Sequence, residues 1–258
     1  MKQLLFFSLV IMIISLSYNA DAILNRALEL NGDPDSAMEA PDHPSLDANL
    51  GKKLTVEAWV NPGQSAGELM VVNKEDVYEM AVKDGLLQTA IQPAGQGWEW
   101  WNSQGKVPVN TWTHIAITYD GSEIKTFLNG KFLAKFSKAG PLNDSPDTLK
   151  IGRRTRGGAT HSAYSGLIDE VRISNAIRYD KDFDVPQGAF LPDDDTVALY
   201  HFDEETGGKI KDFSKYGNDG KLVNKAKLVE VDLSNTLLAV HPKNKLAAIW
   251  GDIKTGKL

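Results

Sequence analysis

The stretch THIAITYDGSEIKTFLNGKFLAKF, Thr113–Phe136, holds three short runs rich in β-branched and aromatic residues, divided by Asp120-Gly121 and Asn129-Gly130. Such runs read as strands, and dipeptides of this kind supply the positive φ angles that tight hairpin turns require. Asp84-Gly85 repeats the signal upstream, between VYEMAV (Val77–Val82) and LLQTAIQ (Leu86–Gln92). Three hairpins within 60 residues predict an antiparallel meander.

Working outward, LTVEAWV (Leu54–Val60), TLKIG (Thr148–Gly152), SGLIDEVRIS (Ser165–Ser174) and TVALYHF (Thr196–Phe202) extend the strand pattern. No segment sustains a 3.6-residue apolar period, and NAIRYDKDF offers at most one helical turn. Many short strands separated by turn signals predict an all-β, two-sheet antiparallel sandwich rather than a parallel α/β fold.

At 258 residues, 42% hydrophobic and 24% charged, the chain has ordinary globular composition. A net charge of -6 with dispersed Lys and Arg speaks against nucleic acid. Lys2, an apolar run from Leu4 to Leu16 and Ala20-Asp21-Ala22 together resemble a secretory signal peptide cleaved near Ala22, with no membrane span in the mature chain. The chain has no cysteine, so an exported protein of this sequence would rest on its core, and a bacterial source fits. The organisation expected is a signal peptide over 1–22, a sandwich over 23–224, and a lysine-rich tail or extra hairpin over 225–258.

The runs LTVEAWVNP, VPVNTWTHIAITYDGSEIKTFLNGKFLAKF, LKIGRR, GLIDEVRISNAIRYDKDF and ALYHFDEETGGKIKDFSKYGNDGKL, in that order, resemble a laminin-G-like jelly roll of the concanavalin A-like lectin/glucanase superfamily, in its bacterial extracellular branch. The resemblance covers about Ala27 to Leu222. It implies that the first strand, ALELNG, lies beside the last ones, VALYHF and NDGKL, so that the two ends meet. It also implies a structural Ca²⁺ held by Asp169 with oxygens from Gly32 and Asp33, hard ligands of the type that ion takes. The alternative for Asp169 is a turn cap or a pair with Arg172.

Enzyme motifs fare poorly. Glucanases of this fold carry E-x-D-x-x-E on one strand, which places nucleophile and acid on one side of the scissile bond. Glu230 and Asp232 make the only E-x-D, in the tail and incomplete. Glu57, Asp76 and Glu79 are carboxylates within strand patterns with no partner by spacing. Gly63-Gln64-Ser65-Ala66-Gly67 fits G-x-S-x-G, but it leads into ELMVV, another strand, where a nucleophile elbow needs a helix. His43, His114, His161, His201 and His241 show no metal spacing.

Two segments remain as binding candidates. In GQGWEWWNSQG (Gly95–Gly105), an extended backbone turns Trp98 and Trp100 to one face and Glu99 and Trp101 to the other. The exposed rings would stack on sugars, with Glu99, Asn102 and Gln104 as hydroxyl partners, or else pack into the core. In GRRTRGGATHSAYSG (Gly152–Gly166), Arg153, Arg154 and Arg156 either hold an anionic ligand or solvate a hairpin. The expected function is a secreted, non-catalytic module binding carbohydrate, a cell-surface glycoconjugate or another extracellular protein. The alternatives are a structural spacer and, on fold analogy alone, a glycan-cleaving enzyme.

Overall fold

A computed structural model describes residues 25–231, apart from 187 and 204. The segments expected as signal peptide (1–22) and the tail runs TLLAV and KLAAIW lie outside the described residues. Eighteen strands follow in order: β1 (Arg26–Asn31), β2 (Ala37–Ala40), β3 (Leu54–Pro62), β4 (Glu68–Lys74), β5 (Tyr78–Lys83), β6 (Leu86–Ile91), β7 (Trp100–Lys106), β8 (Thr113–Tyr119), β9 (Glu123–Leu128) and β10 (Lys131–Ser137). The chain continues through β11 (Leu149–Ile151), β12 (Arg153–Arg156), β13 (Ala159–Ala163), β14 (Ser165–Ser174), β15 (Thr196–Tyr200), β16 (Lys209–Ile210), β17 (Gly220–Val223) and β18 (Lys227–Glu230).

They form two eight-stranded antiparallel sheets. Sheet 1 runs β10-β9-β8-β3-β14-β1-β18 with β15 also on β14, sheet 2 runs β16-β17-β2-β11-β4-β5-β6-β7, and β12–β13 is a separate hairpin. Leu28, Val56, Ile117 and Ile168 of sheet 1 meet Met38, Met80, Leu87 and Leu149 of sheet 2 in one buried cluster. The two-sheet jelly-roll sandwich read from the sequence is thus observed.

The quoted stretch becomes β8–β9–β10. Asp84-Gly85 and Asn129-Gly130 have positive φ at both residues, as two-residue hairpins demand, whereas at Asp120-Gly121 only the glycine does. There the Asp120 carboxylate accepts the backbone N–H of Ser122 and Glu123 at 2.8 and 2.7 Å and builds the turn itself. A Cβ on Gly130 would meet the Phe183 carbonyl oxygen at 2.1 Å, so that turn also needs glycine for close packing.

Three expectations need correction. The sandwich does not stop at 224: Lys227–Glu230 is β18, pairing with β1 and extending sheet 1. The neighbours of β1 are β14 and β18, while β15 pairs with the other end of β14 and β17 pairs with β2. The described ends nevertheless meet, with Val231 N–H donating to Asn25 O at 3.0 Å. The NAIRYDKDF segment has no helical turn. It begins a strap, residues 175–193, laid over the outer face of sheet 1. Among the described residues the only helical turns are 3-10 segments at Pro44–Leu46 and Ala48–Leu50.

The strap gives sheet 1 a second small core. Trp59 and Leu199 from the sheet meet Val185 and Phe190 from the strap, all buried. Beneath lies a buried polar network. Glu57 accepts from Arg172 Nε at 2.8 Å and from Tyr179 OH at 2.8 Å, and it lies 3.1 Å from His114 Nε2. Burial alone would raise the Glu57 carboxyl, but these partners hold it at about 2. His201 Nδ1 lies 2.9 Å from Glu170 and likewise sits buried.

Candidate functional site

Across sheet 2 the register aligns Glu39, Lys150, Asn73, Glu79, Ala90 and Trp100 on successive strands. Their neighbours Tyr78, Met80 and Ile91 face the core. By the two-residue alternation of strands, this row therefore lies on the outer face. Over part of it folds the β12–β13 hairpin, against β4. Thr160 Oγ1 donates to Pro34 O at 2.9 Å and Arg153 pairs with Glu39 at 2.6 Å, which pins the hairpin down.

The two candidate segments of the sequence meet here. Trp98 and Trp100 stack with ring centroids 5.6 Å apart and planes at 27°. The Arg154 guanidinium lies 5.9 and 5.3 Å from the same two rings, within cation–π range. Each indole N–H is fixed from behind: Trp98 Nε1 donates to Asp76 at 3.0 Å and Trp100 Nε1 to Glu79 at 3.1 Å. The polar edges are satisfied while Trp100 stays 40% exposed. An aromatic surface so restrained needs little ordering when a ligand docks.

The charges beneath it are paired locally. Arg154 Nε and Nη2 donate to Glu75 at 2.9 and 3.0 Å, and Nε lies 2.7 Å from Glu79. Asn73 Nδ2 donates to both carboxylates, at 3.2 and 3.0 Å. Burial raises Glu79 to about 7, against the pull of Arg154 and the Trp100 hydrogen bond. Burial also works to raise Glu75, but the hydrogen bonds and charge of Arg154 outweigh it and leave that group below its usual range. Both carboxylates are buried at about 1% exposure, so neither faces a substrate.

Other candidates divide. Trp101 turns to the opposite face, stacks on Phe136 at 5.8 Å and packs against the main core. Glu99 points away and pairs with Lys138 at 3.3 Å. Asn102 is exposed beside the row, accepting from Gln88 Nε2 at 3.0 Å, and Gln104 is exposed two residues further along β7. The three arginines do not form one anion cradle, because Arg153 is taken by Glu39 and Arg154 by Glu75. Arg156 is half-exposed, 3.7 Å from Glu75 and 3.9 Å from Asp76.

The residues expected to hold calcium are not brought together. In the β1–β14 ladder Leu28 faces Ile168 and Asn31 faces Ser165, which sets Asp169 at the Ala27 end and Gly32 past the other. Five strand positions separate them by roughly 17 Å. Asp169 is buried and accepts the Glu170 N–H at 2.8 Å, whereas Asp33 pairs with Lys225 at 2.7 Å. A single ion cannot span that gap. Gly63–Gly67 lies in the loop between β3 and β4 with no helix behind it.

Sequence reasoning missed Glu75 altogether, and it left Glu79 without a role. The alternation of β5, with Tyr78 and Met80 as apolar neighbours of Glu79, is the signal that would have set Glu79 on the outer face.

An antiparallel jelly-roll sandwich with aromatic rings restrained on one outer face defines a lectin-type β-sandwich as the class. Residues 31–182 match a laminin G family described as the Concanavalin A-like lectin/glucanases superfamily, and the chain belongs to it. Among solved structures it is similar to a proposed carbohydrate binding protein from Bacteroides ovatus, with TM-score 0.64 and 19% identity, covering 81% of this chain and 60% of that one. The chain thus spans about 60% of that relative's length. It is also similar to the IT-sialidase CBM40 of Ruminococcus gnavus bound to alpha2,3 sialyllactose, with TM-score 0.49, 12% identity and coverage of 62% and 95%. A third is the mouse laminin alpha1 chain, domains LG4-5, with TM-score 0.48, 18% identity and coverage of 62% and 44%. No curated protein matches the chain.

Proposed function

We propose that this chain is a secreted, non-catalytic carbohydrate-binding module whose recognition surface is the Trp98–Trp100 pair on the outer face of sheet 2. The observation that carries this reading is the half-exposed pair itself, with both ring N–H groups satisfied from behind. Flat apolar rings rimmed by the exposed amides Asn102 and Gln104 suit a sugar, which has an apolar face and a rim of hydroxyls. The proposed carbohydrate binding protein of similar fold from Bacteroides ovatus adds weight.

The engagement of each nearby arginine by a carboxylate favours an uncharged glycan over a uronate or sulfate. A non-catalytic role is supported by the burial of Glu75 and Glu79 and by Arg154 bound to both. Secretion rests on the amino-terminal pattern of Lys2, the apolar run and Ala20-Asp21-Ala22.

The test is a glycan array probed with the mature chain and with the Trp98→Ala/Trp100→Ala double variant. Binding that survives moderate salt and disappears in the folded variant supports the reading. Silence of the parent protein across the array would leave the sandwich as a scaffold, the second reading.

A further inference from the structure

Lys74, the last residue of β4, is a fully buried lysine. Its Nζ lies 2.6 Å from Asp42 Oδ1, 2.9 Å from Asp47 Oδ2, 2.7 Å from Ser145 O and 2.5 Å from Asp147 O. Two carboxylates and two backbone carbonyls from two separate loops thus converge on one nitrogen. Three of these contacts are hydrogen bonds, one for each proton of the ammonium, and Asp47 Oδ2 adds an ion-pair contact, so the four oxygens together surround a single charge. The shell carries two negative charges against one positive. Hard oxygens, mixed carboxylate and carbonyl, in excess of the cation's charge are the donor set that a divalent ion such as Ca²⁺ selects.

We infer that the Lys74 ammonium is a resident cation in a metal-type oxygen cage, tying the β2–β3 loop and the β10–β11 loop to the end of β4 in place of a bound metal ion. Three arguments converge. Asp47 is itself buried and already oriented by the Ala48 N–H at 2.6 Å, so the cage is shaped by the backbone and not by the lysine alone. The carbonyls of Ser145 and Asp147 flank Pro146, whose ring restricts the backbone between them. Two of the observed distances, 2.5 and 2.6 Å, already fall within the Ca–O range of about 2.3–2.6 Å, and the other two, 2.7 and 2.9 Å, exceed it by only a few tenths of an ångström, so the oxygens need close in only slightly on an ion. The cage shares no side chain with the tryptophan surface, although Lys74 directly precedes Glu75 and Asp76, which hold Arg154 and Trp98 there.

The experiment removes the resident charge. Lys74→Ala opens space at the centre of the four oxygens, and Lys74→Met fills the same space with an apolar chain. Each variant and the parent is melted in millimolar CaCl₂ and in chelator. Lys74→Ala should lose roughly 10 °C in chelator, the scale for stripping the partner from buried charges. Calcium should return about 5 °C or more of it, with one ion bound per chain by calorimetry. Lys74→Met should fall and stay down in both buffers, and the parent midpoint should be the same in both. A Lys74→Ala midpoint indifferent to calcium overturns the inference. So does a Lys74→Ala chain that fails to fold in calcium, since the inference requires the ion to substitute for the ammonium. A parent that shifts with calcium as much as the variant does also overturns it, because the ion would then act elsewhere.

Discussion

The two outer faces of this sandwich begin from the same problem and resolve it differently. Each sheet has spent one face on the shared core, and each outer face carries buried carboxylates and arginines. On sheet 1 the strap 175–193 covers them. Arg178 clamps Asp193 with two bonds of 2.8 and 2.7 Å, Tyr179 and Phe183 stack 3.5 Å apart, and Glu57 ends in a closed network. On sheet 2 the covering hairpin stops short, and the tryptophan pair finishes the job with its rings half in water. A face sealed by the chain contributes stability, whereas a face sealed by restrained aromatic rings retains a surface that a ligand can use.

The difference can be broken most severely at sheet 1. Arg172→Ala strips the cation from buried Glu57 and should cost about 3–5 kcal/mol in urea unfolding. Folded Arg172→Ala should still bind whatever the parent binds.

The faces should also respond oppositely to pH. Glu57 sits at about 2 folded against 4.5 in the open chain, so its contribution is present above about pH 4.5 and is lost as pH falls toward 2. Glu79 sits at about 7, so its contribution is present below about pH 4.5 and is lost as pH rises through 7. Each spans at most about 3.5 kcal/mol, from roughly 1.4 kcal/mol per pH unit of displacement. Melting curves from pH 3 to 9 should show Glu79→Gln flattening only the neutral limb.

Arg154→Ala should cost about 2 kcal/mol, less than Arg172→Ala, because Glu79 can take up a proton when its counter-charge goes. It should also loosen the rings, read as a shift in tryptophan emission and a loss of glycan binding. Trp100→Ala sharpens the contrast most, with stability changing by about 1 kcal/mol or less and binding falling at least about tenfold. Smallest of all, chelator should leave the parent's midpoint where it is, since Asp169, Gly32 and Asp33 do not meet.

The sequence showed the sandwich because its evidence is local. Alternating residues and turn dipeptides such as Asn129-Gly130 act within a few positions, and the strands they predict are present. The facing of Trp98, Trp100 and Trp101 was legible for the same reason. What lay beyond reach was whatever depends on distant segments coming together. Arg154 and Trp100 are 54 residues apart and meet only because the hairpin folds across β4. The strap offered at most one helical turn because its apolar residues, Tyr179, Phe183, Val185 and Phe190, follow no period. They are spaced to fit the surface of another element. The residues named for calcium show the converse: β1 and β14 do pair, but their register carries Asp169 away from Gly32.

The pairing of Asn25 with Val231 at the β18 flank also sets an orientation. The sheets are about 30 Å wide, and the tryptophans stand on the opposite flank, where Trp101 of β7 meets Phe136 of β10. Any tether attached beside residues 25 and 231 would therefore work like the handle of a paddle, with the aromatic edge at the far side of the blade.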